Sequence, residues 1–149
     1  MTFWDKERTY NELEPLTNEM VALAQQQLQV TLPATYIELL QQQNGGTLVH
    51  TAFPTTEKNN WADDHVNIEE MFGIAEDEGI LQTPYLIGEW GLPENIVLFA
   101  GDGHSWFAFD YRVTKENPPI IYIEVDEERI IPLADHFDTF VQQLFTYED

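Results

Sequence analysis

Few groupings in this 149-residue chain bring chemically competent side chains together. Asp63-Asp64-His65 places two carboxylates and an imidazole in a row, the donor types that bind divalent cations. Neighbouring residues on a strand or loop point in different directions, and neither a His-x-x-x-His pair nor a twelve-residue calcium loop occurs, so no metal site is expected. Asp102, His104 and Ser105 supply the residue types of a nucleophilic triad, and Ser105 is the only serine. Positions i, i+2 and i+3 of one turn do not converge on a common geometry, and no Gly-x-Ser-x-Gly elbow surrounds the serine. Gly101-Asp102-Gly103 lacks both the length and the lysine of a phosphate loop. Carboxylate pairs for glycoside chemistry single out nothing in a chain with 27 Asp and Glu. The lack of cysteine removes disulfides, thiolate zinc sites and a cysteine nucleophile. The expectation is a non-enzyme with no catalytic residue and no cofactor.

Charge carries more information than any of these groupings. With six Lys and Arg against 27 acids the formal net charge is −21. Such a surface repels nucleic acid and anionic lipid, whose binding relies on Lys and Arg displacing counterions. It attracts a basic protein, a polyamine or a metal ion, and its field speeds encounter with a basic partner. The acids are unevenly placed. No Lys or Arg lies between Lys58 and Arg112, and Asp63, Asp64, Glu69, Glu70, Glu76, Asp77 and Glu78 fall within one short part of that interval. This stretch is the candidate face for a basic protein partner, the alternative being a solvated surface. Trp61 stands among Lys58, Asn59, Asn60 and Asp63, and an aromatic in a polar loop either folds back on the core or serves as an interface anchor.

A core must position these groups, and the composition supplies one. A hydrophobic fraction of 43% with nine Phe, six Tyr and four Trp exceeds what a disordered acidic tail contains, and the length suits one domain spanning 1–149. Thr17 can cap a helix bearing Met20, Ala24 and Leu28 on one face. A second helix starts with Pro33 at its first position and stops at Asn44-Gly45-Gly46. The period then changes to 2. Thr47 to Phe53 reads as a strand, Thr55 to Asp64 as a loop, Asn67 to Phe72 as ambiguous, Glu76 to Gly79 as exposed, and Tyr85 to Trp90 as a second short strand. Denser strands follow at Ile96–Ala100, Ser105–Tyr111 and Ile120–Val125, the first two joined by a Gly101–His104 hairpin. Trp106 to Tyr111 is apolar on both faces and predicts a central strand covered on two sides. After a charged turn at 126–129, a last helix is expected from Pro132, with Leu133, Phe137, Phe140, Val141 and Leu144 on its apolar face. The fold class is α+β: a mostly antiparallel central sheet with N-terminal helices and a C-terminal helix packed on it. The N-terminus shows no secretory h-region and no stretch reaches membrane-spanning length, which predicts a cytoplasmic protein.

The order of segments resembles the SUKH superfamily, which includes a yeast regulator of cell-wall synthesis and many bacterial immunity proteins. The resemblance rests on Leu32-Pro33 through Leu39-Leu40 to Asn44-Gly45-Gly46, then Trp90-Gly91-Leu92-Pro93, Gly101-Asp102-Gly103, an aromatic strand ending Asp110-Tyr111, and the terminal Leu133 to Phe137 segment. It covers about 17–145, and Trp61 to Tyr85 matches none of its motifs. Its motif positions have structural reasons in caps and turns. It implies an α+β domain without catalytic residue or cofactor. Together with the charge it implies an immunity protein that binds and neutralises a partner toxin, a basic nuclease above all. The alternative is a regulatory interaction module without a toxin partner, as in the eukaryotic branch.

Overall fold

The change of period after Asn44-Gly45-Gly46 separates two regimes of the fold. A computed structural model describes residues 3–9 and 13–147. Before the change lie α1 (Asn18–Leu28) and α2 (Ala34–Gln42). Thr17 caps α1 as expected, its hydroxyl accepting the Met20 N–H at 3.2 Å. After the change come short strands: β1 (Gly46–Thr47), β2 (Ala52–Pro54), β3 (His65–Asn67), β4 (Glu70–Met71), β5 (Ile74–Ala75) and β6 (Glu78–Gly79). A 3-10 turn (Ile80–Gln82) leads into α3 (Thr83–Trp90). The long strands β7 (Ile96–Gly101), β8 (Ser105–Asp110), β9 (Ile120–Glu124) and β10 (Arg129–Ala134) precede α4 (Phe137–Gln143).

The four long strands form one antiparallel sheet in the order β10-β9-β8-β7. Side-chain alternation sends Phe107, Phe109, Ile120, Tyr122 and Ile131 to one face, where Tyr36 of α2 and Phe137 and Phe140 of α4 cover them. Phe99 is the hub of this layer: it stacks on Phe109 at 4.5 Å between centroids and meets Phe137 and Phe140 edge-on, each at 5.7 Å. The register of β7 shifts between Leu98 and Ala100, so Phe99 is the extra residue of a bulge. Its carbonyl accepts the Phe72 N–H at 2.7 Å, tying the segment after β4 to the side of β7 that β8 leaves open. Leu98, Trp106, Ala108, Ile121 and Ile123 take the opposite face under Leu92 and the Leu86 and Ile87 side chains of α3. The aromatic strand is thus covered on both sides, as its composition predicts.

Four expectations need correction. Tyr85 to Trp90 is helical: Pro84 sits in the first turn of α3, and Gly91 in the left-handed conformation ends it. The segment from Pro132 is not yet helix, because Ile130 and Ile131 pair with Ile123 and Tyr122. Pro132 is tolerated there because β10 is an edge strand with a register shift beside it, and α4 starts only at Phe137. The strand expected over 47–53 is split into β1 and β2, with Leu48 between them bridging to Trp4. Pro33 occupies the cap of α2 rather than its first turn.

Two-residue strands make too few ladder bonds to hold the 46–82 segment, and Asn44 supplies what they lack. Its side chain is buried, accepts the Ile74 N–H at 2.8 Å, and donates to the carbonyls of Ile74 at 2.8 Å and Glu14 at 2.7 Å. Gly45, at φ +90°, lets the backbones approach: a Cβ there would lie 2.8 Å from the Gly73 nitrogen. Asn44→Ala leaves both Ile74 backbone groups without these partners, so it is expected to lower unfolding free energy by about 2–4 kcal/mol, read from urea titration. Asp110 makes a second local tie at the end of β8, accepting the Arg112 backbone N–H at 3.1 Å and its guanidinium at 2.8 and 2.9 Å. Hydrogen bonds from the Arg112 side chain hold the Asp110 carboxyl below the usual carboxylate range. A carboxyl depressed in the folded state contributes stability above its unfolded pKa and loses it as pH falls through the folded value. Arg112→Ala is therefore expected to destabilise the protein near neutral pH, and the difference from the parent should close as thermal unfolding is repeated below about pH 3.

Candidate functional site

The polar loop 55–64 contains two consecutive asparagines, and each fixes a different part of it. Asn59 shapes the loop from inside: its side-chain oxygen accepts the N–H groups of Trp61 at 2.8 Å and Ala62 at 3.0 Å, while its amide donates to the His65 carbonyl at 3.1 Å. Asn60 fastens the loop to the sheet. Its side-chain oxygen accepts the Tyr122 hydroxyl at 2.7 Å, its amide donates to Ser105 Oγ at 2.7 Å, and its backbone N–H donates to the Glu124 carboxylate. Ser105 and Glu124 are opposite one another across β8 and β9, so both reach the loop from one face of the sheet.

Glu124 is only 1% exposed, which without counter-charge would be costly. Arg129 supplies one, with its guanidinium 3.9 Å from the carboxylate, 2.6 Å from Glu57 and donating to the Lys58 carbonyl at 3.0 Å. Burial raises the Tyr122 phenol above its ordinary range, and its hydroxyl donates to Asn60.

This clamp leaves Trp61 58% exposed beside a pocket of about 260 Å³. Ile68, Ala100, Phe107 and Tyr122 give the pocket an apolar and aromatic lining. Glu69, Glu70 and Asp102 add three carboxylic side chains. Trp61, Glu69, Glu70, Gly101 and Asp102, singled out in sequence for separate reasons, therefore share one concavity. The other acids do not line it. Asp63 and Asp64 are exposed on the approach to β3, where Asp64 meets His65 Nδ1 at 2.9 Å. Glu76, Asp77 and Glu78 are exposed at the turn of the β5–β6 hairpin, which neighbours α1 and the 3-10 turn.

The Asp102, His104 and Ser105 grouping makes no triad. Asp102 Oδ1 accepts the backbone N–H groups of His104 and Ser105, both at 3.0 Å, while the His104 ring lies 3.4 Å from Asp126. Its neighbours serve packing: a Cβ on Gly101 would fall 2.3 Å from the Trp106 ring, and Gly103 backs onto Trp90. Leu32 is buried in the main core. Among the described residues no three metal-ligating side chains converge, and none of the helices is long and apolar enough to cross a membrane. Asn60, Tyr122 and Glu124 were not legible as site residues. The available signal was Glu124, a single charge closing an otherwise apolar strand.

No curated protein matches the chain. A family model described as the SMI1 / KNR4 family (SUKH-1) matches residues 15–143, which takes in both N-terminal helices, the whole sheet, the clamped loop and α4. The chain belongs to the SMI1 / KNR4 family (SUKH-1).

Proposed function

We propose that the protein is a cytoplasmic immunity protein that binds a basic toxin domain, a nuclease, and blocks its action. The observation that carries this reading is Trp61, held by the Asn59 and Asn60 hydrogen bonds in an exposed position beside an acid-rimmed pocket. Tryptophan is the residue most enriched among the few that dominate interface energetics, and a fixed loop loses little conformational freedom on binding. The charge of −21 supports a partner whose own surface is basic because its substrate is a polyanion. Asp63 and Asp64, exposed on the same loop, would act at longer range by steering encounter.

The test is to mix the purified protein with the toxin domain encoded beside its gene. Inhibition is expected at equimolar ratio, with association slowing as salt rises. Replacing Asp63 and Asp64 together by Ala should slow association, with the loss of unfolding free energy limited to the one Asp64–His65 contact, about 1 kcal/mol. Trp61→Ala should raise the dissociation rate, at a cost of about 2 kcal/mol in affinity. Full toxin activity in excess protein would overturn the reading. Unaltered kinetics in both variants would remove this face from the interface.

A further inference from the structure

We propose that the pocket beside Trp61 receives a single arginine side chain from the protein partner. The inference rests on the partner-binding reading above and adds the chemistry that the pocket selects. Its lining is divided. Trp61 is the exposed apolar side chain of the lining and offers surface to an aliphatic stem, Ile68, Phe107 and Tyr122 being almost wholly buried, while Glu69 and Asp102 offer exposed carboxylates to a cationic head. No described residue lining the pocket is cationic. An anionic group would meet like charge there, and a metal ion would find no converging set of three ligands among the described residues. A guest with an apolar stem and a positive end fits both halves of the lining.

Trp61 decides between the two natural guests of that kind. Its side chain is more than half exposed and belongs to the pocket lining, so an indole is available to whatever enters. A guanidinium is planar, weakly hydrated and able to stack on an indole while its edge donates two parallel hydrogen bonds to a carboxylate. An ammonium is a compact, strongly hydrated point charge and gains less from both contacts. The clamp under the loop keeps this arrangement ready before the guest arrives: Asn60 is tied to Ser105 and Tyr122, which themselves line the pocket.

The probe is the peptide acetyl-Gly-Arg-Gly-amide, titrated into the full chain and followed by NMR on the four tryptophan indole N–H resonances. The same peptide with citrulline in place of arginine keeps the shape and removes the charge, and the lysine peptide keeps the charge and removes the plane. The expected result is saturable movement of the Trp61 resonance with the arginine peptide, about tenfold weaker binding of the citrulline peptide, and intermediate binding of the lysine peptide. Glu69→Gln and Asp102→Asn should each weaken the arginine peptide severalfold. Asparagine retains the oxygen that accepts the His104 and Ser105 N–H groups, so Asp102→Asn leaves the turn intact. Equal binding of the citrulline peptide, or no response at Trp61, would overturn the proposal. The titration needs no toxin. Toxin inhibition without a peptide response removes the arginine pocket alone, and a peptide response without toxin inhibition removes the toxin alone.

Discussion

The carboxamide of Asn44 holds together two parts of the chain that backbone pairing alone would leave loosely joined. Between β1 and the 3-10 turn every strand has two or three residues, and a ladder that short contributes little. One buried side chain closes the gap by satisfying both Ile74 backbone groups and reaching the Glu14 carbonyl on the other side. The Asn44 carbonyl accepts the Leu13 N–H at 3.0 Å as well. The middle of the chain is thereby docked against the N-terminal region and, through Phe72 and the Phe99 carbonyl, against the sheet. The position that sequence analysis reads as a helix stop is a tertiary fastener whose chemistry needs an amide, since only a side chain with both donor and acceptor meets N–H and C=O together.

From that fastening the sheet can be filled on both faces. The layer built around Phe99 buries α2 and α4, and the layer built on Trp106 and Leu98 buries α3. One buried donor, the Trp106 indole N–H, has no hydrogen-bond partner among the described residues, and the Trp106 ring lies 6.3 Å between centroids from that of Trp90. The end of the sheet is finished differently. There Ser105, Tyr122 and Glu124 present polar atoms upward, and the loop carrying Asn60 and Trp61 settles on them. The same two strands thus supply aromatic packing at the centre and a polar seat at the rim, which follows from letting one face of a strand run past its covering helices.

Long, strongly patterned elements were legible in the sequence and short ones were not. The helix capped by Thr17, the strands β7 to β9 and the hairpin at Asp102 follow from period and turn chemistry, which act within a few residues. Tyr85 to Trp90 misleads because a six-residue segment with Tyr85, Leu86, Ile87 and Trp90 as its apolar positions fits either period, and the deciding signals, Pro84 and Gly91, sit at its borders. Leu133 misleads in the opposite way: it is spaced like a helix-face residue but belongs to β10, which tertiary pairing with β9 extends past a proline. The candidate site was half legible. Charge and composition pointed to Trp61 and the acids, but only tertiary geometry sorts Glu69 and Glu70 into the pocket lining and leaves Asp63, Asp64 and the Glu76–Glu78 turn outside it. Asn60, Tyr122 and Glu124 come from parts of the chain more than 60 positions apart, and no local pattern connects them.

The clamp beneath the loop separates holding from presenting. Asn59, Asn60, Tyr122 and Glu124 fix the loop from below and Trp61 stands on it, while Glu69 meets the same pocket from the link between β3 and β4. Exposed side chains placed in this way can be exchanged at small cost in stability, whereas the buried amides cannot. The loop is accordingly a chassis on which recognition can be rewritten one residue at a time. Retargeting such a protein, by selection or by hand, becomes a matter of changing the rim and leaving its seat alone.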